Sequence, residues 1–156
     1  MSDVINEVLE INEDTQEGKF LTFPLDNATY AIEIKFVTEI IGIQPITQMP
    51  DMPYYVKGII NLRGKIIPVV DIRLKFKKEP KDYDERTCII VIDINNTSLG
   101  LIVDNVSEVL NIPDENIVEP PDMNKEFNNR FIKAIGKIGN NVDLILSCEE
   151  IIKDSI

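Results

Sequence analysis

Apolar residues recur along this chain in short runs, cut by polar pairs that carry turn chemistry. Residues 19–25 and 29–34 flank Asp26-Asn27, the pattern of two strands joined by a tight turn. Residues 37–43 form a third run. A second hairpin is predicted from residues 58–62 and 65–70, which flank Arg63-Gly64, and residues 71–76 fit a short helix. The charged stretch 77–86 reads as a solvated connection. Beyond it, residues 87–94 and 97–103 flank Asn95-Asn96, residues 106–112 follow, and 113–129 is the longest predicted loop. Residues 131–138 and 142–146 predict a fourth hairpin around Gly139-Asn140-Asn141. A C-terminal helix is expected over 147–156, with Ser147 as its N-cap and Glu149-Glu150 in the first turn. Residues 2–17 carry Val4, Ile5, Val8 and Leu9 and are read as a poorly ordered tail rather than a helix.

The runs repeat. Residues 29–41 align without a gap on 98–110, an offset of 69 (98 − 29): Val37 falls on Val106, Thr38 on Ser107, Glu39 on Glu108 and Ile40 on Val109. Asn27 falls on Asn96 at the same offset, and Val56-Lys57 lies over Ile132-Lys133 at a slightly larger one. Five short strands per half predict a mainly β protein of two small barrels, each closed to hide its edges, with short helices including one at the C-terminus. A half of this size is marginal alone, so the two should share apolar surface. The expected division is a tail over 1–18, a first barrel over 19–86 and a second over 87–156. Whether strands are exchanged between the halves stays open.

Composition narrows the function. Of 156 residues, 44% are apolar, and Ile and Val dominate over Ala, which favours strands because β-branched side chains pack well on a pleated sheet. A formal net charge of −11 repels phosphate backbones and anionic lipid, so no nucleic-acid partner and no membrane insertion are expected. No apolar run approaches the ~20 residues of a membrane span, and the start of the chain lacks a signal-peptide pattern, so a cytoplasmic protein is expected. Cys88 and Cys148 then act as small buried hydrophobes rather than a disulfide. The chain contains no histidine, which removes Ser–His and Cys–His catalysis and most transition-metal sites. No cofactor, no metal and no enzymatic activity are expected.

One stretch is more specific. In residues 58–76 stand Gly58, Asn61-Leu62-Arg63-Gly64, Pro68-Val69 and Asp71 in order, and upstream stands Val37-x-Glu39-Ile40. This resembles the signature of the CheW family, over about residues 19–152. The family includes free-standing coupling proteins and the regulatory domain at the C-terminus of the histidine kinase CheA. The resemblance implies two SH3-like five-stranded barrels. It also implies an adaptor role in chemotaxis, with one surface for the CheA regulatory domain and another for the cytoplasmic tips of methyl-accepting chemotaxis receptors. A kinase would need a phosphoacceptor His and an ATP-binding domain, and a CheV-type protein a receiver domain after residue 156. The free-standing type is therefore expected, recruited to membrane receptor clusters through its partners.

Candidate sites follow from the resemblance and the repeat. Arg63, at a hairpin tip beside Gly64, can fork onto a partner carboxylate and is expected at the receptor surface; the alternatives are a solvated turn residue or an internal pair with Asp71 or Glu39. Val37 and Val106 should meet near one seam, with Leu21, Ile34 and Ile40 close by. They line either an apolar groove that accepts a receptor helix, with Glu39 on its rim, or the barrel core. The kinase surface is expected around Ile43, Ile46 and Met49, apolar residues in a proline-flanked run. Gly58, Asn61, Gly64, Pro68 and Asp71 are expected to shape the turn and strands, Pro68 at an edge or bulge and Asn61 by bonding the turn through its side chain.

Two other functional classes fit this chain less well. A nucleic-acid-binding barrel of OB type would need a basic groove with stacking aromatics, against the acidity and an aromatic content of 6%. A hydrolase using Asp or Glu would need a paired carboxylate cleft, which no spacing singles out.

Overall fold

The computed structural model describes residues 17–121 and 129–155. The N-terminal tail therefore lies largely outside the described residues, as does part of the predicted loop 113–129. The strands are β1 (Lys19–Leu25), β2 (Ala28–Glu33), β3 (Val37–Gly42), β4 (Val56–Leu62), β5 (Lys65–Asp71), β6 (Cys88–Ile94), β7 (Thr97–Val103), β8 (Val109–Asn111), β9 (Ile117–Val118), β10 (Ile132–Ile138) and β11 (Asn141–Leu146). Two α-helices follow strands, α1 (Ile72–Lys75) after β5 and α2 (Cys148–Ser155) after β11. The hairpins close where the turn chemistry placed them. Asn95 and Asn96 have φ of 52° and 65°, and Arg63 and Gly64 have 52° and 87°. Both pairs are thus positive at both central positions, as the tight turn matching strand twist requires.

Sheet composition departs from a division near residue 86. One sheet runs β8-β1-β2-β11-β10-β9 and the other β3-β6-β7-β5-β4. The first hairpin has crossed into the sheet of the C-terminal strands, and β6-β7 has crossed into that of β3–β5. Connection length explains the exchange. For β3 to lie antiparallel beside its own β1 it would run parallel to β2, and a parallel crossover needs about a dozen residues or more. Only the 3-10 turn Ile34–Phe36 separates β2 from β3. β3 instead pairs antiparallel with β6, and β8 with β1.

The two exchanges are copies of each other. Ile40 faces Ile90 and Ile41 faces Ile89, while Val109 faces Leu21 and Leu110 faces Phe20, the same register at an offset of 69 (109 − 40, 90 − 21). The later hairpins repeat at 76 (132 − 56): β4–β5 shifts register between Val56 and Gly58, and β10–β11 between Ile132 and Ala134. The parallel pairs Val69–Gly100 and Ile145–Ala31 close each barrel. The predicted third run of the second half is shorter than expected, because β8 spans three residues. The segment read as loop holds the 3-10 turn Asp114–Asn116 and β9, which pairs with β10. Its counterpart in the first half is the single bridge Thr47–Ile59.

Exchange creates three apolar clusters. Alternate residues of one strand serve two of them: Ile89 and Val91 of β6 face the interior of the first barrel, with Ile60, Ile67 and Ile102. Ile90 and Ile92 face a larger cluster between the sheets, with Leu21, Phe23, Ile32, Leu99 and Leu101. Phe20, Ala31, Ile112 and Ile145 fill the second barrel. Strands buried on both faces read as continuous apolar runs, which is why residues 88–92 show no alternation. Helix α2 adds Cys148 and Ile151 to the middle cluster. An ionic tie secures it: the buried Lys75 ammonium lies 2.7 Å from Asp154 Oδ2, and 4.1 and 4.9 Å from the ring centroids of Tyr55 and Phe131. Asp154 also accepts from Arg130.

Candidate functional site

The signature hairpin is built for rigidity. Asn61 Oδ1 accepts the Gly64 N–H at 2.8 Å, bracing the turn. Gly58 has φ of 143° and lies so close to β4's neighbour that a Cβ there would sit 2.1 Å from the Thr47 carbonyl oxygen, a space only glycine fits. Asp71 is buried; its Oδ1 accepts the Leu74 N–H at 3.3 Å, capping α1, and its Oδ2 accepts from Tyr83 O–H at 2.7 Å. Of the two places expected for Pro68, it lies beside a bulge, the register shift of β4 between Val56 and Gly58. It sits in β5, an interior strand between β4 and β7, not at an edge. The ladder to β7 begins one residue later at Val69, so no donor is required of Pro68 on that side.

Arg63 projects from this frame with a side chain 70% exposed, and it pairs with Glu39 of β3. The contact raises the guanidinium pKa further, by hydrogen bonding first and charge second. Of the alternatives open at the sequence level, the internal pair with Glu39 is the one present. The bonded carboxylate is itself partly exposed, so both groups face outward at the tip of the first barrel.

The five apolar residues expected near the seam are brought together, but inside. Leu21, Ile34, Val37, Ile40 and Val106 all belong to the cluster between the two sheets, and none is more than 7% exposed. Of the two readings open at the sequence level, these side chains take the core one, packed between the exchanged sheets. Val37 and Val106, equivalent by the repeat, keep the small exposures, at 7% and 6%, whereas Leu21 and Ile34 have none.

The run expected to hold the kinase surface divides. Ile43 and Met49 are exposed, whereas Ile46 is half-buried and packs against the interior of the first barrel. Met52 and Tyr54, at 41% and 64% exposure, extend the same loop and were not singled out from sequence. Their signal was present: Met49-Pro-Asp-Met-Pro-Tyr-Tyr is apolar without any period that could bury it on a strand or helix face.

Chemistry of catalysis finds little footing. Burial pushes the Cys88 thiol up to about 11 and the Cys148 thiol to about 12, so both are protonated at neutral pH and neither is a ready nucleophile. Neither is in a disulfide. Among the described residues no cluster of three or more His, Cys, Asp or Glu could hold a metal ion, and no helix is long and apolar enough to cross a membrane.

Comparison with known proteins agrees with this geometry. The model of the CheW-like domain matches residues 19–155. The chain is 33% identical to the chemotaxis protein CheW of Klebsiella aerogenes over 139 residues, covering 89% of this chain and 84% of that one. It is 30% identical to CheW of Thermotoga maritima, covering 89% and 90%. The crystal structure of the scaffolding protein TtCheW from Thermoanaerobacter tengcongensis superposes with a TM-score of 0.78 at 34% identity, over 83% of this chain and 88% of that one. With the signature hairpin, the duplicated barrels and these matches in agreement, the chain belongs to the CheW family of chemotaxis scaffold proteins.

Proposed function

We propose that this chain is a non-catalytic adaptor that couples the cytoplasmic tips of chemoreceptors to the regulatory domain of the histidine kinase CheA, working in the cytoplasm at membrane receptor clusters. The observation that carries the reading is the signature hairpin, held rigid by Asn61 and Gly58, with the Arg63–Glu39 pair facing outward at its tip. Arg63 takes the left-handed region at the centre of the turn, which sets the direction in which its side chain leaves the hairpin. On this reading a receptor carboxylate competes for the Arg63 fork, and Glu39 keeps the guanidinium oriented until then. Val37 and Val106 meet the receptor at the seam through their small exposed edges, and Leu21, Ile34 and Ile40 hold them from beneath.

The kinase face is the loop carrying Ile43, Met49, Met52 and Tyr54, exposed apolar groups of the kind that concentrate interface energy. Ile46 anchors that loop to the barrel instead of touching the partner. Reconstitution with kinase and receptor fragments tests the proposal: receptor control of kinase autophosphorylation should require this chain. A correctly folded preparation that binds neither protein would overturn it.

A further inference from the structure

The two barrels differ most where their duplicated residues ought to agree. In the first, Glu39 is neutralised by Arg63, and Lys65 donates to Ser98 at 2.8 Å and lies 3.7 Å from Asp93. At the repeat offsets, Glu39 becomes Glu108, which keeps its acid, but Arg63 becomes Gly139 and Lys65 becomes Asn141. Both cations are gone. Among the described residues Glu108 makes no ion pair, although its backbone is fixed to Thr22 by three hydrogen bonds.

A second acid has been added. Two apolar interior positions of the first barrel, Val91 and Ile67, correspond to Thr22 and Asp143. Around these substitutions a cleft of about 500 Å³ opens, lined among others by Thr22, Thr29, Ser107, Glu108, Asn141 and Asp143. Asp143 is only 5% exposed, and its Oδ2 has no hydrogen-bond partner among the described residues. A buried carboxylate oxygen without a partner is costly and calls for a specific reason. Burial, and then the nearby charge of Glu108, also hold the Asp143 pKa above its ordinary value.

We propose that this cleft binds a guanidinium cation, supplying to Glu108 and Asp143 from outside what Arg63 supplies to Glu39 from within. A guanidinium suits the site better than an ammonium. It is less strongly hydrated, so it enters a partly closed cleft at lower cost, and its planar fork reaches two carboxylates carried by different elements. The hydroxyl oxygen of Thr29 and the amide oxygen of Asn141, which line the same cleft, accept from its other donors. The cation comes either from an arginine side chain of another protein or from a small guanidinium compound, and the site is independent of the receptor and kinase surfaces above.

The test is an NMR titration of the full chain with N-acetyl-arginine-N-methylamide, with free L-arginine, and with N-acetyl-citrulline-N-methylamide as the neutral isostere. Amide resonances of residues 107–108 and 140–144 should move with the arginine compounds, and binding should weaken roughly tenfold or more with citrulline or in Asp143→Asn. Glu108→Gln, an exposed substitution, provides a second weakened variant that does not depend on the buried position. Tighter binding of the blocked arginine assigns the site to a protein side chain, and equal or tighter binding of free arginine to a small molecule. Absence of shifts at these residues, equal binding of citrulline, or undiminished binding by both variants overturns the proposal.

Discussion

Asp71 and Ser147 occupy the same place in the two halves, 76 residues apart (147 − 71), and each caps the helix that follows it. Asp71 accepts the Leu74 N–H at 3.3 Å and Ser147 the Glu150 N–H at 3.2 Å. A duplicated capping position has therefore kept its task with a different side chain, and the extra oxygen of Asp71 has taken on Tyr83.

That difference predicts unequal costs. Ser147→Ala should lower stability by about 1 kcal/mol, the usual loss of an N-cap. Asp71→Ala should cost about 1–3 kcal/mol more, because it also strands the half-buried Tyr83 hydroxyl. Urea denaturation of the two variants, with a Tyr83→Phe control, measures both. Equal losses would mean that the Tyr83 bond contributes nothing.

At the hairpin tip, Arg63→Glu replaces an exposed ion pair by two like charges facing solvent. Exposed pairs contribute little to folding, so the melting curve should stay near that of the parent chain. Affinity for a receptor fragment should fall roughly tenfold or more, as for an interface anchor. Calorimetric titration against the fragment checks it. Parent-like affinity would place the receptor contact elsewhere.

The loop after β3 separates two kinds of apolar residue. Met49→Glu and Tyr54→Ala should leave the melting temperature unchanged and weaken capture of the kinase regulatory domain. Ile46→Glu should instead destabilise the fold by about 2 kcal/mol or more, because it drives a charge against the first barrel's interior. Pull-down and thermal melts of the three variants decide. A stable Ile46→Glu that loses the kinase would return Ile46 to the docking surface.

Asp143 gives a pH signature. Its folded-state pKa is raised above the ordinary 3.8 by burial and by Glu108, so the folded chain holds its proton more tightly than the unfolded chain. Stability from this group is full below about pH 3.8 and is lost as pH rises through the elevated folded value. Asp143→Asn, which never ionises, should raise the melting temperature at pH 7, and the advantage should vanish towards pH 3.8. An advantage independent of pH would mean the carboxylate is not the source of the cost.

Much of this molecule was legible in its sequence. Turn pairs such as Asn95-Asn96 and Arg63-Gly64 bound the strands, since few residue pairs tolerate positive φ at both centres. The repeat foretold two alike halves, and in the fold residues that match in sequence face matching partners in the ladder. The signature around Arg63 foretold the family, a dense local pattern that needs no knowledge of distant contacts.

Pairing between halves was a different matter. Ile40 meets Ile90 in the fold, yet Leu21, the residue that matches Ile90 in the first half, would present the same β-sheet chemistry. Local preference cannot choose between two copies of one strand. The short Ile34–Phe36 connection makes the choice only once the strands are arranged in space, where it forbids the return to β1. From that exchange follow the burial of Val37 and Val106 and the cleft at Asp143, both made by residues far apart in the chain. Local sequence set strands, turns and family; three-dimensional arrangement alone decided which faces are closed and which stay open, because burial depends on partners that a strand does not carry with it.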